Sequence, residues 1–392
     1  MRIAHVITRL ILGGAQENTL LCCEDLIRDY GDDVLLVTGP ALGPEGSLLD
    51  RARAGGVPLR VVDSLRRPIH PWRDWTSYRR IKRILRDFRP DVVHTHSAKG
   101  GILGRAAAWK LRVPAVVHTV HGAPFHAYQG RAARRLFRDC ERWAARRCHA
   151  IVSVADAMTE LMVAAGVAPR EKFTTVYSGM EVEPFLEADQ HRARVRRELG
   201  YRDEHVVIGK IARLFNLKGQ QYVIRAAEQL AARRPEVRFL LVGDGILREK
   251  LRRQIAEAKL DDRFQMTGLV PPRRIPELIA AMDVVVHASL REGLARVLPQ
   301  ALIAGKPVVS YDVDGAAEVV ADGETGYLLP PKSVEPMVDV LDRLAGDADL
   351  RHKLGSAGRR VADRFGHGRM TARVRDVYVE ILGRPGRNRA TQ

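Results

Sequence analysis

The chain is predicted to be an α/β protein of two consecutive domains, each a parallel sheet with helices on both faces. Three observations carry that prediction. With 392 residues, 46% of them apolar, the chain can bury more than one core. Short β-branched runs alternate with amphipathic helical stretches along its whole length, the pattern of parallel sheets. Between residues 178 and 185, Ser-Gly-Met-Glu-Val-Glu-Pro-Phe breaks any regular period and reads as a linker.

The first half opens with a strand at 3–7, the pair Gly13-Gly14, and a helix to about residue 29. A glycine pair between strand and helix lets the backbone approach a ligand and aims N–H groups outward. It is not the three-glycine dinucleotide fingerprint. Strands at 34–38 and 59–62 flank a loop at 39–46 and a helical stretch at 47–54. A basic helix at 72–88 ends before Pro90. Its apolar positions Tyr78, Ile81, Ile84, Leu85 and Phe88 share one face, expected against the sheet, while Arg79, Lys82, Arg83 and Arg86 share the other. Two strands end in His94-Thr-His96-Ser97 and His118-Thr-Val-His121-Gly122, and strands at 150–154 and 173–177 close the half.

The domain boundary is placed at 183. A charged helix around Val195 leads to a strand at 206–211, followed by Ala212-Arg213-Leu-Phe-Asn-Leu-Lys218-Gly219. Two cations five residues apart on a strand-to-helix loop can converge on one diphosphate, Arg by its planar fork and Lys as a point charge. Two more strands end in Gly243-Asp244-Gly245 and Gly268-Leu269-Val270. A strand at 284–287 then enters a loop carrying Glu292, Gly293 and Leu294, and a helix is expected at 295–304, stopped by Gly305 and Pro307. A loop acid, a glycine and a helix N-terminus together suit a negatively charged ligand. A strand at 308–311 leads to Asp312-Val-Asp314, with Glu318 beyond, and the chain closes with a basic helix at 370–382.

Charge and composition narrow the function. The formal net charge is +17, and residues 66–147 hold twenty Lys and Arg against five Asp and Glu. Such a surface suits nucleic acid, anionic lipid headgroups or a phosphorylated substrate, or simply solvates helix faces. Arg131, Arg134, Arg135, Arg138, Arg142 and Arg146 recur every three to four residues on the helix after His121. No apolar run approaches the ~20 residues that span a bilayer, and residues 1–7 lack the order of a secretory signal, so a cytoplasmic location is expected. Cys22 and Cys23 are adjacent, and Cys140 and Cys148 would lie roughly 12 Å apart on a helix, too far to bridge. His94-x-His96 places both rings on one face of a strand, as a metal pair requires, but no further ligands accompany it at metal spacing. No metal and no cofactor are expected.

Glu292 and Gln300 stand seven residues apart, with Gly293 and Leu294 after the first. This resembles the Glu-seven-Glu signature of the retaining glycosyltransferases of family 4. Arg213/Lys218-Gly219 is similar to that family's Arg-x-x-x-x-Lys-Gly segment, and Thr-Val-His121-Gly to its His-Gly strand end. The resemblance covers nearly the whole chain and implies the GT-B fold, two Rossmann-like domains facing a cleft. Domains at 1–183 (acceptor side) and 184–369 (nucleotide-sugar side) are expected, with 370–392 crossing back to the first. It implies a nucleotide-sugar donor and a lipid-linked or glycan acceptor. Glu292 would contact the donor sugar, Arg213 and Lys218 its phosphates, and Leu269 and Val270 the base. His121 would lie beside the sugar, with His94, His96 and Ser97 as neighbours, and Gly14 would face the cleft. Gln300 stands where the family carries its second Glu, losing a charge but keeping an acceptor oxygen for the ribose. The resemblance makes Asp312/Asp314 a structural loop rather than a metal pair. An epimerase on the same fold, and a non-catalytic sugar-nucleotide or nucleic-acid binding module, are the alternative readings. An anionic membrane surface is an expected partner and nucleic acid is not.

Overall fold

In the computed structural model, which describes residues 1–43 and 46–383, every strand pairs in parallel with its neighbours. The first sheet holds β1 (Arg2–Ile7), β2 (Asp33–Thr38), β3 (Leu59–Val61), β4 (Val92–His96), β5 (Ala115–Val120), β6 (Ala150–Ser153) and β7 (Phe173–Thr175), in the order β3-β2-β1-β4-β5-β6-β7. The second holds β8 (Val206–Ile211), β9 (Val237–Val242), β10 (Phe264–Met266), β11 (Val284–His287), β12 (Val308–Tyr311) and β13 (Gly326–Leu329), in the order β10-β9-β8-β11-β12-β13. Both orders reverse direction once, between β1 and β4 and between β8 and β11. Such reversals open a crevice at the carboxyl ends of the strands, where α/β sheets bind ligands.

The chain divides into two compact units, one of Met1–Met180 with the described residues from Phe365 onward, the other Glu181–Arg364. Each has its own apolar core, one around Ile3, Leu20, Leu36, Val117 and Tyr378, the other around Ile208, Phe239, Val286, Val309 and Leu341. The sequence placed the divisions at 183 and 369. Of its expected C-terminal segment and its 39–46 loop, residues 384–392 and 44–45 lie outside the described residues.

In the first unit, helices α1 (Gly14–Tyr30), α2 (Leu49–Ala54), α3 (Pro71–Phe88), α4 (Ala98–Lys110) and α5 (Arg131–Ala145) follow in order. α3 buries Ile81 and Leu85 and exposes Arg79, Arg83 and Arg86, but its apolar face lies chiefly on α4 rather than on the sheet. α4 itself takes the sheet-facing place. It lies so close that a Cβ on Gly100 would come 2.7 Å from the Thr8 nitrogen, and one on Gly104 2.8 Å from Thr95 Cγ2. Lys99 fastens α4 to α3 through an ion pair of 2.6 Å with Asp74. The C-terminal helix His367–Gly383 packs on α1, where buried Asp25 accepts from Thr371 Oγ1 at 2.7 Å and meets His367 Nδ1 at 2.8 Å.

In the second unit, Asp283 fixes the geometry ahead of β11. Its carboxylate accepts the Val207 N–H at 2.7 Å and pairs with Arg192 at 2.5 Å and Arg196 at 3.1 Å, tying β11 to β8 and to the helix Arg192–Glu198.

Candidate active site

The second unit concentrates its charged groups on the two loops that leave β8 and β11, either side of the strand-order reversal. Gly219 closes the first loop with φ +74°, and a Cβ there would sit 1.8 Å from the Ala288 carbonyl oxygen. Only glycine permits that approach. The Leu290 N–H donates to the Leu217 carbonyl at 2.8 Å, so the two loops are zipped backbone to backbone. The zipper brings Lys218 Nζ to 2.5 Å from Glu292 Oε1, while His287 Nε2, at the end of β11, stands 3.5 Å from the same oxygen.

Burial opposes ionisation of Glu292. The Lys218 ammonium and the His287 ring outweigh it and hold the carboxyl well below the usual carboxylate range. His287 is itself pushed down by burial, against the pull of Glu292. Lys210, on β8, is 2% exposed and its Nζ has no hydrogen-bond partner. Burial lowers its pKa to about 7, against the attraction of Glu292 and with the repulsion of Lys218. Three basic groups thus surround one carboxylate. The sequence reading passed over Lys210 and His287, which look like ordinary members of apolar strands.

Asp314 supports the acid from behind. Its Oδ2 accepts the Glu292 N–H at 2.5 Å, while Asp312 is exposed. Among the described residues neither belongs to a group of side chains able to hold a metal ion. The helix after Glu292 is Val297–Ile303, beginning two residues later than expected. Pro299 explains the delay: it has no N–H to bond Ala295, so the first helical bond runs from Gln300 N–H to Arg296 O at 3.1 Å. Gly293 and Leu294 are buried in the intervening loop, and Gln300 is half-buried on the helix. Arg213 is exposed and stacks 5.1 Å over the Phe215 ring, while Lys218 engages Glu292. Leu269 is exposed and Val270 half-buried beyond β10, where Gly243 N–H bonds Gly268 O at 3.1 Å.

His121 and Gly14 belong to the first unit. Gly14, exposed, opens α1. Register places His5 beside His94 and Ile7 beside His96, and the rings connect further. His5 Nδ1 lies 3.0 Å from His96 Nε2, and His96 Nδ1 lies 3.1 Å from His121 Nε2. His94 joins the Tyr378 hydroxyl at 2.5 Å and Thr119 Oγ1 at 2.6 Å. Burial pushes the His5 pKa down to about 3 and those of His94 and His96 well below the ordinary value. His94 and His96 are 1% and 2% exposed, beneath the surface. Ser97 is half-buried with φ +62°. Ligand-capable atoms of His5, His94 and His96 lie within 4.8 Å of one another. Of the three, His5 and His96 are bonded to each other, while His94 bonds Tyr378 and Thr119.

Residues 191–361 match the family described as "Glycosyl transferases group 1", and residues 13–179 match "Glycosyl transferase 4-like domain". The chain is 27% identical over 385 residues to the Escherichia coli UDP-Gal:alpha-D-GlcNAc-diphosphoundecaprenol alpha-1,3-galactosyltransferase, covering 97% of each protein. It is 30% identical over 293 residues to the D-inositol 3-phosphate glycosyltransferase of Kribbella flavida, covering 70% of this chain and 68% of that one. Its fold superposes on Anabaena HepE in complex with UDP-glucose with a TM-score of 0.82 at 22% identity, over 97% of this chain and 100% of the other. Two family matches that between them take in both units, with relatives matched over most of their length, make this chain a member of the group 1 glycosyltransferases, a glycosyltransferase with the GT-B fold.

Proposed function

We propose that this glycosyltransferase moves a sugar from a nucleotide diphosphate sugar to a hydroxyl of a lipid-linked or polysaccharide-precursor acceptor, with retention at the anomeric carbon. The observation that carries the reading is the Lys218–Glu292 pair at the strand-order reversal of the second sheet, with Lys210 and His287 behind it. A carboxylate kept ionised by the Lys218 ammonium can orient sugar hydroxyls, while that ammonium can stabilise the charge that grows on a departing diphosphate. On this reading unit 181–364 holds the donor. Glu292, Gly293 and Leu294 meet the sugar, Arg213 and Lys218 the phosphates, Gln300 the ribose, and Leu269 and Val270 the base. The first unit serves the acceptor and contributes His121 and Gly14. The bond from the anomeric carbon to the phosphate oxygen breaks as the acceptor oxygen attacks from the same face, and the departing phosphate oxygen takes the acceptor's proton. No metal enters that scheme. Support for the donor comes from the UDP-glucose bound in the Anabaena structure, and for a lipid diphosphate acceptor from the name of the Escherichia coli relative.

Location follows the same line. Among the described residues no helix is long and apolar enough to cross a membrane. The first unit exposes Trp72 (68%) and Trp75 (47%) on α3, with Arg79 stacked 4.8 Å over Trp75, and Leu136 (55%) among the exposed Arg131, Arg134 and Arg135 of α5. Tryptophan and arginine together suit an anionic headgroup layer, and the reading places the enzyme peripherally on such a surface.

The test is a panel of UDP- and GDP-sugars with and without a polyprenyl diphosphate-linked sugar acceptor, in EDTA, with the product's anomeric configuration read by NMR. Acceptor-dependent, EDTA-resistant release of nucleotide with retained configuration is expected. In the same assay Glu292→Gln should lower kcat by about 100-fold or more while donor Kd moves little, because the carboxylate acts through the transition state. Turnover within a few-fold of wild type would remove Glu292 from the centre of the scheme.

A further inference from the structure

We propose that buried His5 and His96 act as positioning residues that fix His121 in a single tautomer, with its proton on Nδ1. The inference rests on the placement of His121 at the donor site for its functional meaning, though not for its geometry. Two neutral imidazoles share a hydrogen bond only when one nitrogen carries the proton and the other is bare. His96 is bonded at both nitrogens, to His5 through Nε2 and to His121 through Nδ1. It therefore donates at one end and accepts at the other, and the string of three rings runs in one of two directions. Pointing outward, His5 Nδ1–H donates to His96 Nε2, His96 Nδ1–H donates to His121 Nε2, and the His121 proton is on Nδ1. Pointing inward, each proton moves to the opposite nitrogen and His5 must carry its own on Nε2.

The inner end decides between them. His5 is wholly buried and its Nε2 has no hydrogen-bond partner. The outward direction leaves a bare lone pair there, the inward direction an N–H with nothing to accept it. An unpaired buried N–H is the rarer of the two in folded proteins. The environment also disfavours adding a further proton to the string, since burial lowers the pKa of both His5 and His96. The rings are held for the purpose: His5 stacks on His96 at 10° and 5.2 Å, and His96 on His121 at 28° and 5.4 Å. His121 thereby carries its proton on Nδ1, a nitrogen that donates rather than accepts.

The test is long-range 15N–1H correlation on the full chain labelled at histidine, with the His121 signals assigned by their loss in His121→Gln. In the unmodified protein His121 should show a protonated Nδ1 and a bare Nε2. His96→Asn and, separately, His5→Phe should convert it to a mixture of tautomers, and should lower kcat about tenfold with little change in KM. A protonated Nε2 in the unmodified protein overturns the proposal without recourse to any variant, as does an unchanged His121 pattern in a folded His96→Asn protein. A joint, stoichiometric shift of the His5, His94 and His96 signals on adding Zn2+ would replace the string with a metal centre and overturn it too. If the tautomer is as stated but His121→Gln retains full transferase activity, the string stands and the placement of His121 at the donor site fails.

Discussion

Lys210 is a buried amine with no hydrogen-bond partner, beside a carboxylate already paired with another lysine. Its native pKa of about 7 lies below the ordinary 10.5. Between those values the unfolded chain holds a proton that the native protein lacks, so stability falls as pH drops from 10.5 towards 7 and levels off below. Lys210→Met should remove that slope and raise stability at pH 7 by about 4 kcal/mol, read by urea unfolding at pH 7 and pH 10. A slope unchanged by the substitution would mean that the amine is solvated. If the same variant loses turnover, the lysine is kept for the site at the expense of the fold. Residues of this kind are hard to read from sequence. Glu292, Lys218 and Arg213 sit on loops, where a charge invites a functional reading. Lys210 and His5 sit inside apolar strands, and only the neighbours that the sheet supplies reveal that one lacks a partner and the other ends a string of rings.

At the scale of elements, the approach of two loops sets the distance between the key side chains. Gly219→Ala would place a methyl group against the Ala288 carbonyl at a backbone angle that alanine rarely adopts. It should cost about 1–3 kcal/mol of stability and, by moving Lys218 off Glu292, reduce kcat/KM on the order of 100-fold. Thermal denaturation and steady-state kinetics on one preparation would show both. Wild-type kinetics in Gly219→Ala would mean that the zipper does not position the pair. The helix after Glu292 shows where periodicity misleads. Its apolar spacing runs from Ala295, but the missing N–H of Pro299 moves the true start to Val297. β13 escaped the reading because it is four residues long and opens with Gly326, whose missing side chain admits the Val308 carbonyl. The partner of α3 escaped it for another reason: an amphipathic face specifies that something apolar covers it, and the Gly100–Gly104 stretch of α4, which lets that helix take the sheet, acts elsewhere in the chain.

For the whole molecule, charge and histidine are unevenly divided. His5, His94, His96 and His118 are all buried in the first unit, and burial lowers the pKa of each from 6.5. Below pH 6.5 the unfolded first unit takes up protons that the native one refuses, so its stability falls as pH falls, by about 1.4 kcal/mol per unit for each histidine. For His5 that loss continues to about pH 3. The four tryptophans, Trp72, Trp75, Trp109 and Trp143, belong to the same unit, so tryptophan fluorescence during acid titration should report its loss ahead of the overall circular dichroism. Coincident transitions would mean that the second unit is equally acid-labile. The exposed Trp and Arg of α3 and α5 should give binding to vesicles containing anionic lipid that weakens with salt, at about 1 kcal/mol for each cation near the surface. Sedimentation with neutral vesicles is the control, and equal binding to both would leave the charge as solvation. The alternation of strands and helices made this two-sheet plan readable from sequence, because it repeats across hundreds of residues and no single contact decides it.

The C-terminal helix also orders events in time. Met180 and Gly366 are bridged, and Tyr378 reaches His94 with a hydrogen bond of 2.5 Å. Residues 181–364 are therefore an insertion in the first unit, whose leading segment emerges from the ribosome long before the helix that covers Cys22, Val117 and Val152 in its core. Until that helix arrives, the nascent first sheet carries an open apolar seat, the kind of surface that chaperones bind. The inserted unit, whose core includes Leu341 and Leu354, is complete at Arg364, ahead of the helix His367–Gly383. The part of the enzyme synthesised second is thus free to finish folding first.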